Sequence, residues 1–174
     1  MCYAALGALV GRRGIMYVDR ESPASLYEGA RLSWGELRKF GHGDLEHIEF
    51  LLKRDADKKV GKLIVTDGVF SMSGELADLP GIIELARKYD ARILVDDAHA
   101  TGVMGPNGRG TPEHYGVEDE IDLIIGTFSK AFASVGGFLA GPADVVDWVK
   151  YMARPFMFTA ALPPAQVAST QKAL

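Results

Sequence analysis

Cysteine is almost missing from this chain: Cys2 is the only one among its 174 residues. One thiol closes no internal disulfide and cannot build a cysteine-based zinc site. It fits a reducing cytoplasm, which is the expected compartment. Charge of one sign is also scarce. The formal net charge is −4, and the basic residues are scattered rather than gathered into a block. That argues against nucleic acid or a membrane surface as a partner, and no metal is expected. No apolar run approaches the roughly 20 residues of a membrane-spanning helix. The opening MCYAALGALVGRRG has a short apolar run, but no basic segment precedes it and no clear cleavage site follows, so it does not read as a signal peptide. Repeats, low-complexity tracts and Pro/Gly/Ser-rich linkers are lacking too. With 48% hydrophobic and 24% charged residues, the sequence reads as one ordinary globular domain over residues 1–174.

What is present is an alternation of strand-like and helix-like segments. Residues 2–10 are small and apolar, and Gly11 and Gly14 punctuate their end as at a helix C-terminus. Residues 15–18 form a short apolar run ending at Asp19, the pattern of a buried strand. Asp44 opens a segment with Leu45, Ile48, Leu51 and Leu52 at helical spacing and a basic end. KLIVT (62–66) predicts a strand, followed by a loop around Gly68 and Gly74. Residues 78–89 predict a helix with Pro80 in its first turn. RILV (92–95) predicts a strand ending at Asp96 and Asp97, and IDLIIG (121–126) another ending before Thr127. Near-continuous apolar strands separated by helices predict an α/β fold with a mostly parallel sheet covered on both faces, in three α/β/α layers. Ligands of such sheets sit beyond the C-terminal strand ends. Three polar segments fall there: residues 67–73, 96–99 and 127–130.

These segments contain what pyridoxal 5'-phosphate (PLP) requires: a lysine amine for its aldehyde, an acid for its pyridine nitrogen, and donors for its phosphate. Asp96 is placed for the nitrogen, His99 to reach a ring oxygen or to stack nearby, Lys130 for the aldehyde, and Ser71 and Thr127 as hydroxyl donors. Each residue alone has a plainer reading. A lysine after a strand is ordinarily a solvated surface residue, a strand-terminal aspartate a turn former or cap, and a single histidine a structural one. His42, His47 and His114 are taken as structural. GPNGRG (105–110) lacks the lysine of a nucleotide loop and reads as a glycine-rich turn. Gly136 and Gly137 allow close backbone packing near the lysine, and Trp148, Phe156 and Phe158 are expected in the core.

The combination says more than its parts. VDDAHATGVMGPNGRG followed by DLIIGTFSKAFASVGGF resembles the α-oxoamine synthase family of fold-type I PLP-dependent transferases. Further matches are DRESPASLYEGARLS (19–33), LIVTDGVFSMSGELADL (63–79) and RPFMFTAALPP (154–164), and GPNGRG, GTFSK and FTAALPP look most like its serine palmitoyltransferase-type members. The resemblance implies an acyltransferase that condenses an acyl-CoA thioester with an amino acid, usually with loss of CO₂. It implies Lys130 as the Schiff-base lysine, Asp96 as the partner of the pyridine nitrogen, His99 at the ring hydroxyl, Ser71 beside the ring and Thr127 at the phosphate. Thr159 would reach the phosphate of a neighbouring subunit, in a homodimer with composite active sites.

Two departures accompany the resemblance. In ESPAS (21–25), Pro23 occupies the place of the histidine that the family stacks on the cofactor ring. The chain is also shorter than a family subunit. It reads as part of the large domain, without the preceding phosphate-binding turn and the following C-terminal domain, and is expected to be inactive alone. Two other readings stay open: a non-catalytic partner subunit of such a synthase, and a PLP-dependent aminotransferase.

Overall fold

The computed structural model describes residues 1–174. Six strands form one sheet in the order β2-β1-β3-β4-β5-β6: β1 Ile15–Asp19, β2 Glu36–Phe40, β3 Lys62–Asp67, β4 Arg92–Asp96, β5 Leu123–Thr127 and β6 Gly137–Ala140. The first five are parallel, and β6 returns antiparallel along β5. The expected three-layer, mostly parallel α/β fold is therefore what the chain adopts.

Alternation along the strands sorts the core into two halves. Ile15, Tyr17, Ile64, Ile93 and Val95 face helices α3 (Leu45–Arg54) and α4 (Leu79–Tyr89). Met16, Val18, Leu63, Val65 and Leu94 face α1 (Cys2–Leu9) and α2 (Ala24–Leu32). A buried aliphatic side chain contributes roughly 2 kcal/mol, against at most about 1 kcal/mol for an exposed ion pair. These two apolar layers, rather than the surface salt bridges, hold the sheet between its helices. Helix starts are set locally: Asp44 Oδ1 accepts from His47 N (2.8 Å) and Asp78 Oδ1 from Gly81 N (3.0 Å), caps worth about 1 kcal/mol each. Strand order reverses after β2, so α2 and α3 cross on opposite faces, and the C-terminal ends of β1, β3, β4 and β5 are left as a shared edge.

Several expectations need correction. The strand expected over 121–126 begins at Leu123, because Asp122 turns its carboxylate to the backbone N–H of Ile93 (2.8 Å). Trp148, Phe156 and Phe158 are not core: they are 53%, 50% and 80% exposed. They lie on and just after α6 (Ala143–Met152) and α7 (Arg154–Met157), where Val149 and Ala153, one turn apart, are the residues buried toward α1. Trp148 keeps one tie, its indole N–H donating to the Ala8 carbonyl (2.9 Å).

The glycine-rich turn reading of 105–110 holds. The Glu113 carboxylate, in the short helix α5 (Thr111–Tyr115), accepts from Asn107 N, Arg109 N (both 3.0 Å) and Asn107 Nδ2 (2.6 Å). The concavity that looks like a phosphate cradle is filled by the chain's own carboxylate.

Candidate active site

The polar residues of the shared edge come from the last positions of the buried strands. Asp96 ends β4 and is 5% exposed. Its Oδ1 accepts from Ala98 N (3.1 Å), and its Oδ2 accepts from the Cys2 thiol (3.4 Å). Burial, and then the Asp96 charge, push the Cys2 thiol up to about 11, so it stays protonated and serves as a donor. Asp97 faces the other way. It is fully buried and accepts from Thr111 N (2.9 Å) and Thr111 Oγ1 (2.6 Å), anchoring the glycine-rich loop. Gly110 belongs to the same anchor: its φ is +105°, and a side chain there would strike the Asp97 carboxylate.

His99 lies three residues beyond Asp96 and is partly buried. Burial and the Lys130 charge hold its imidazole below the usual histidine range, against the pull of Asp96, so the ring is neutral near pH 7. Lys130 stands in the turn after β5, exposed and without an ion pair. Its charge acts on both His99 and Asp67, and it lies three residues past Thr127, the last residue of β5. Thr127 closes β5. Its hydroxyl donates to Gly136 O (3.1 Å), shares a hydrogen bond with Ser129 Oγ (2.8 Å) and accepts from Ser129 N (3.2 Å). The close approach expected at Gly136 and Gly137 is present: a side chain on Gly137 would run into the Gly126 carbonyl.

Ser71 is exposed in the loop that follows β3. That loop is closed by Phe70 N to Glu75 O (2.9 Å) and Gly74 N to Phe70 O (2.8 Å). It is also clamped from outside. His42 bridges Asp19 Oδ1 (3.0 Å) and Glu75 Oε2 (2.8 Å) and packs edge-on against Phe70 at 4.3 Å. Burial weighs against the His42 imidazolium. The hydrogen bonds of Asp19 and Glu75 and the charges of Asp19 and Glu21 outweigh it and hold the ring above the usual range.

The structure thus gathers Asp96, His99, Thr127 and Lys130 along one edge, with Ser71 in an adjoining loop. Thr159 lies past α7, exposed, and its hydroxyl donates to the Pro155 carbonyl; no bond in the chain joins it to the others. Four residues at the edge had not been singled out. Ser129 was within reach of sequence reasoning, since it shares the TFSK turn with Thr127. Asp67 ends an apolar strand just as Asp96 does. Ser22 and Cys2 carried no signal, because their partners Asp67 and Asp96 are 45 and 94 residues away. A concavity of about 950 Å³ opens elsewhere, among Arg12, Arg13, Lys62 and Arg92 at the N-terminal strand ends. It contains none of the groups just described.

A family profile described as aminotransferase class I and II matches residues 8–174. The chain belongs to the class I and II aminotransferases. Among members of this family, it is 48% identical to the serine palmitoyltransferase of Sphingobacterium spiritivorum, over 97% of this chain and 42% of that one. It is 45% identical to the 8-amino-7-oxononanoate synthase of Alkaliphilus metalliredigens, over 99% of this chain and 44% of that one. Both are α-oxoamine synthases, so the resemblance seen in the sequence holds. The fold matches that of S. paucimobilis serine palmitoyltransferase, solved with a bound PLP–myriocin aldimine. The TM-score is 0.93 and the identity 38%, over 99% of this chain and 44% of that one. The chain therefore spans less than half the length of these aminotransferase-family relatives.

Proposed function

We propose that this chain is the large-domain part of a PLP-dependent acyltransferase that joins an acyl-CoA to an amino acid, releasing free CoA and, in the usual case, CO₂. The observation that carries the reading is the pairing of a buried carboxylate with a free amine at the ends of adjacent strands: Asp96 on β4 and Lys130 just past β5. The rest of the donor set fits the same group. A neutral imidazole at His99 suits a ring oxygen, and the linked hydroxyls of Thr127 and Ser129 suit a phosphate.

PLP supplies an electron sink for negative charge developing at the amino acid's α-carbon. The chain's own residues do the remaining work. Asp96 would accept the hydrogen bond of the pyridine nitrogen, a charge-assisted contact about twice as strong as a neutral one. Lys130 would hold PLP through its amine, and the same amine would serve as the base that takes up and returns the proton of the amino acid's α-carbon. By the family resemblance, Ser71 would stand beside the ring. Pro23 can cover a ring face but moves no proton, so proton handling falls to Lys130.

Pro23 also favours a second reading, a partner subunit without turnover, while Lys130 speaks against it. The test uses the full-length protein with PLP, a panel of amino acids and long-chain acyl-CoA, with free thiol measured as it forms. Thiol release that needs both substrates is expected. An aminotransferase would form an oxo acid without thiol release, and a partner subunit would do neither; both outcomes overturn the proposal.

Composite sites are part of the same proposal: the full-length enzyme is a homodimer in which Thr159 of one subunit serves the phosphate held by the other. The exposed Thr159 hydroxyl, bonded only to its own backbone, is free to be recruited. Mixing Lys130→Ala subunits with Thr159→Val subunits leaves one undamaged site in each heterodimer. Activity is expected to rise above that of either variant alone, and verified heterodimers without recovery would contradict the trans role.

A further inference from the structure

Asp67 takes no part in the chemistry just described, yet its surroundings are those of a working group. It is the last residue of β3 and pairs in register with Asp96 on β4. Cross-strand partners point to the same face, and both side chains follow the residues packed under α1 and α2: Leu63 and Val65 lead to Asp67, Leu94 to Asp96. Asp67 is 2% exposed and Asp96 5%. Two carboxylates so placed on neighbouring strands do not both ionise readily, because each charge raises the cost of the other in a site with little water. The hydrogen bonds set the two apart. Asp96 has a backbone N–H and a thiol as donors, whereas the Asp67 side chain has one donor, the hydroxyl of Ser22 (2.8 Å).

We propose that Asp67 is a positioning residue of this site: bonded to Ser22 and set beside Asp96, it retains a proton, so that Asp96 faces the ligand without a second negative charge on the neighbouring strand. The role of Asp96 rests on the PLP reading above; the proton on Asp67 does not. Through Ser22 the same carboxyl fastens the turn that carries Pro23, so the residue in the ring-covering position is tied to the residue that sets the charge beneath it. Other charged or titratable groups face Asp67 from each neighbouring element: Asp19 on β1, Tyr27 on α2, Lys130 beyond β5, and Cys2 on α1 by way of Asp96. Burial first, with Asp96 and Asp19 adding to it and Ser22 and Lys130 opposing, raises the Asp67 carboxyl to about 7.

The sign of the effect on stability follows. The folded chain keeps this proton where the unfolded chain, titrating near 3.9, has lost it. The contribution of Asp67 is therefore fully present below about pH 4 and is lost as pH rises to about 7. The experiment uses full-length protein without added cofactor, so that it reads the carboxyl whether or not PLP binds. Aspartate is labelled with ¹³C at the carboxyl, and the Asp67 resonance is assigned by its loss in Asp67→Asn. A midpoint near 7 is expected, together with a melting-temperature difference that moves in favour of Asp67→Asn as pH rises between about 4 and 7. If Asp67→Asn does not fold, Ser22→Ala assigns the same resonance by shifting it upward in pH. A midpoint in the ordinary carboxylate range overturns the inference. A midpoint near 7 in a protein that binds no PLP leaves it standing and removes the proposed function instead.

Discussion

Replacing Lys130 with alanine in the full-length protein is expected to abolish the visible absorbance of lysine-bound PLP and to lower turnover by on the order of 10⁴-fold. Both effects have one origin. In the proposed site the amine that holds the cofactor would also be the base at the α-carbon, and no other amine at the edge can substitute. Lys130 is exposed and makes no salt bridge, so its truncation removes chemistry without opening the core. Far-ultraviolet circular dichroism and the melting temperature should therefore match those of the unaltered protein freed of PLP. A variant that kept the visible band would mean that Lys130 is the solvated surface lysine that its position after a strand first suggested.

The second large effect is expected from Asp96→Asn. The amide keeps the shape of the side chain and can still accept from Ala98 N, so the turn after β4 survives. What it loses is the negative charge that keeps a pyridine nitrogen protonated. Preorganised electrostatic contacts of this kind are worth on the order of 10²–10³ in rate. The variant is expected to retain PLP while turnover falls by about that factor. Near-normal turnover would leave Asp96 as a turn former and nothing more.

The legible part of the fold was the part buried on both faces. β1, β3 and β4 are near-continuous apolar runs because helices cover the sheet on either side, and that is how IMYV, KLIVT and RILV stand out. The edge strands had no such signature. β2 is ELRKF, with charged side chains and only Phe40 fully buried, and β6 is the four-residue GFLA, none of whose residues is fully buried. Hydrophobic patterning misses strands that one neighbour alone stabilises. The aromatic residues of α6 and α7 misled for a related reason: their apolar character was plain, but which face a helix buries depends on partners that local sequence does not name.

The site divides along the same line. Asp96, His99, Thr127 and Lys130 were visible because strand ends are readable: Asp96 and Thr127 close β4 and β5, and His99 and Lys130 follow them by three residues. Asp67 was visible in principle, as the acid ending KLIVTD, but its pairing with Asp96 is a matter of strand register. Ser22 and Cys2 reach the edge only through the packing of α1 and α2 against the sheet, which no motif in either segment announces.

Which side chain holds the cofactor is the central question, and reduction reads it directly. Full-length protein incubated with PLP and treated with borohydride converts any lysine–cofactor C=N bond to a stable amine, and peptide mass spectrometry then finds the tagged residue. The tag is predicted on Lys130, in the peptide containing GTFSK, at one per chain. A tag on any other lysine, or none at all from protein shown to be folded, would contradict it.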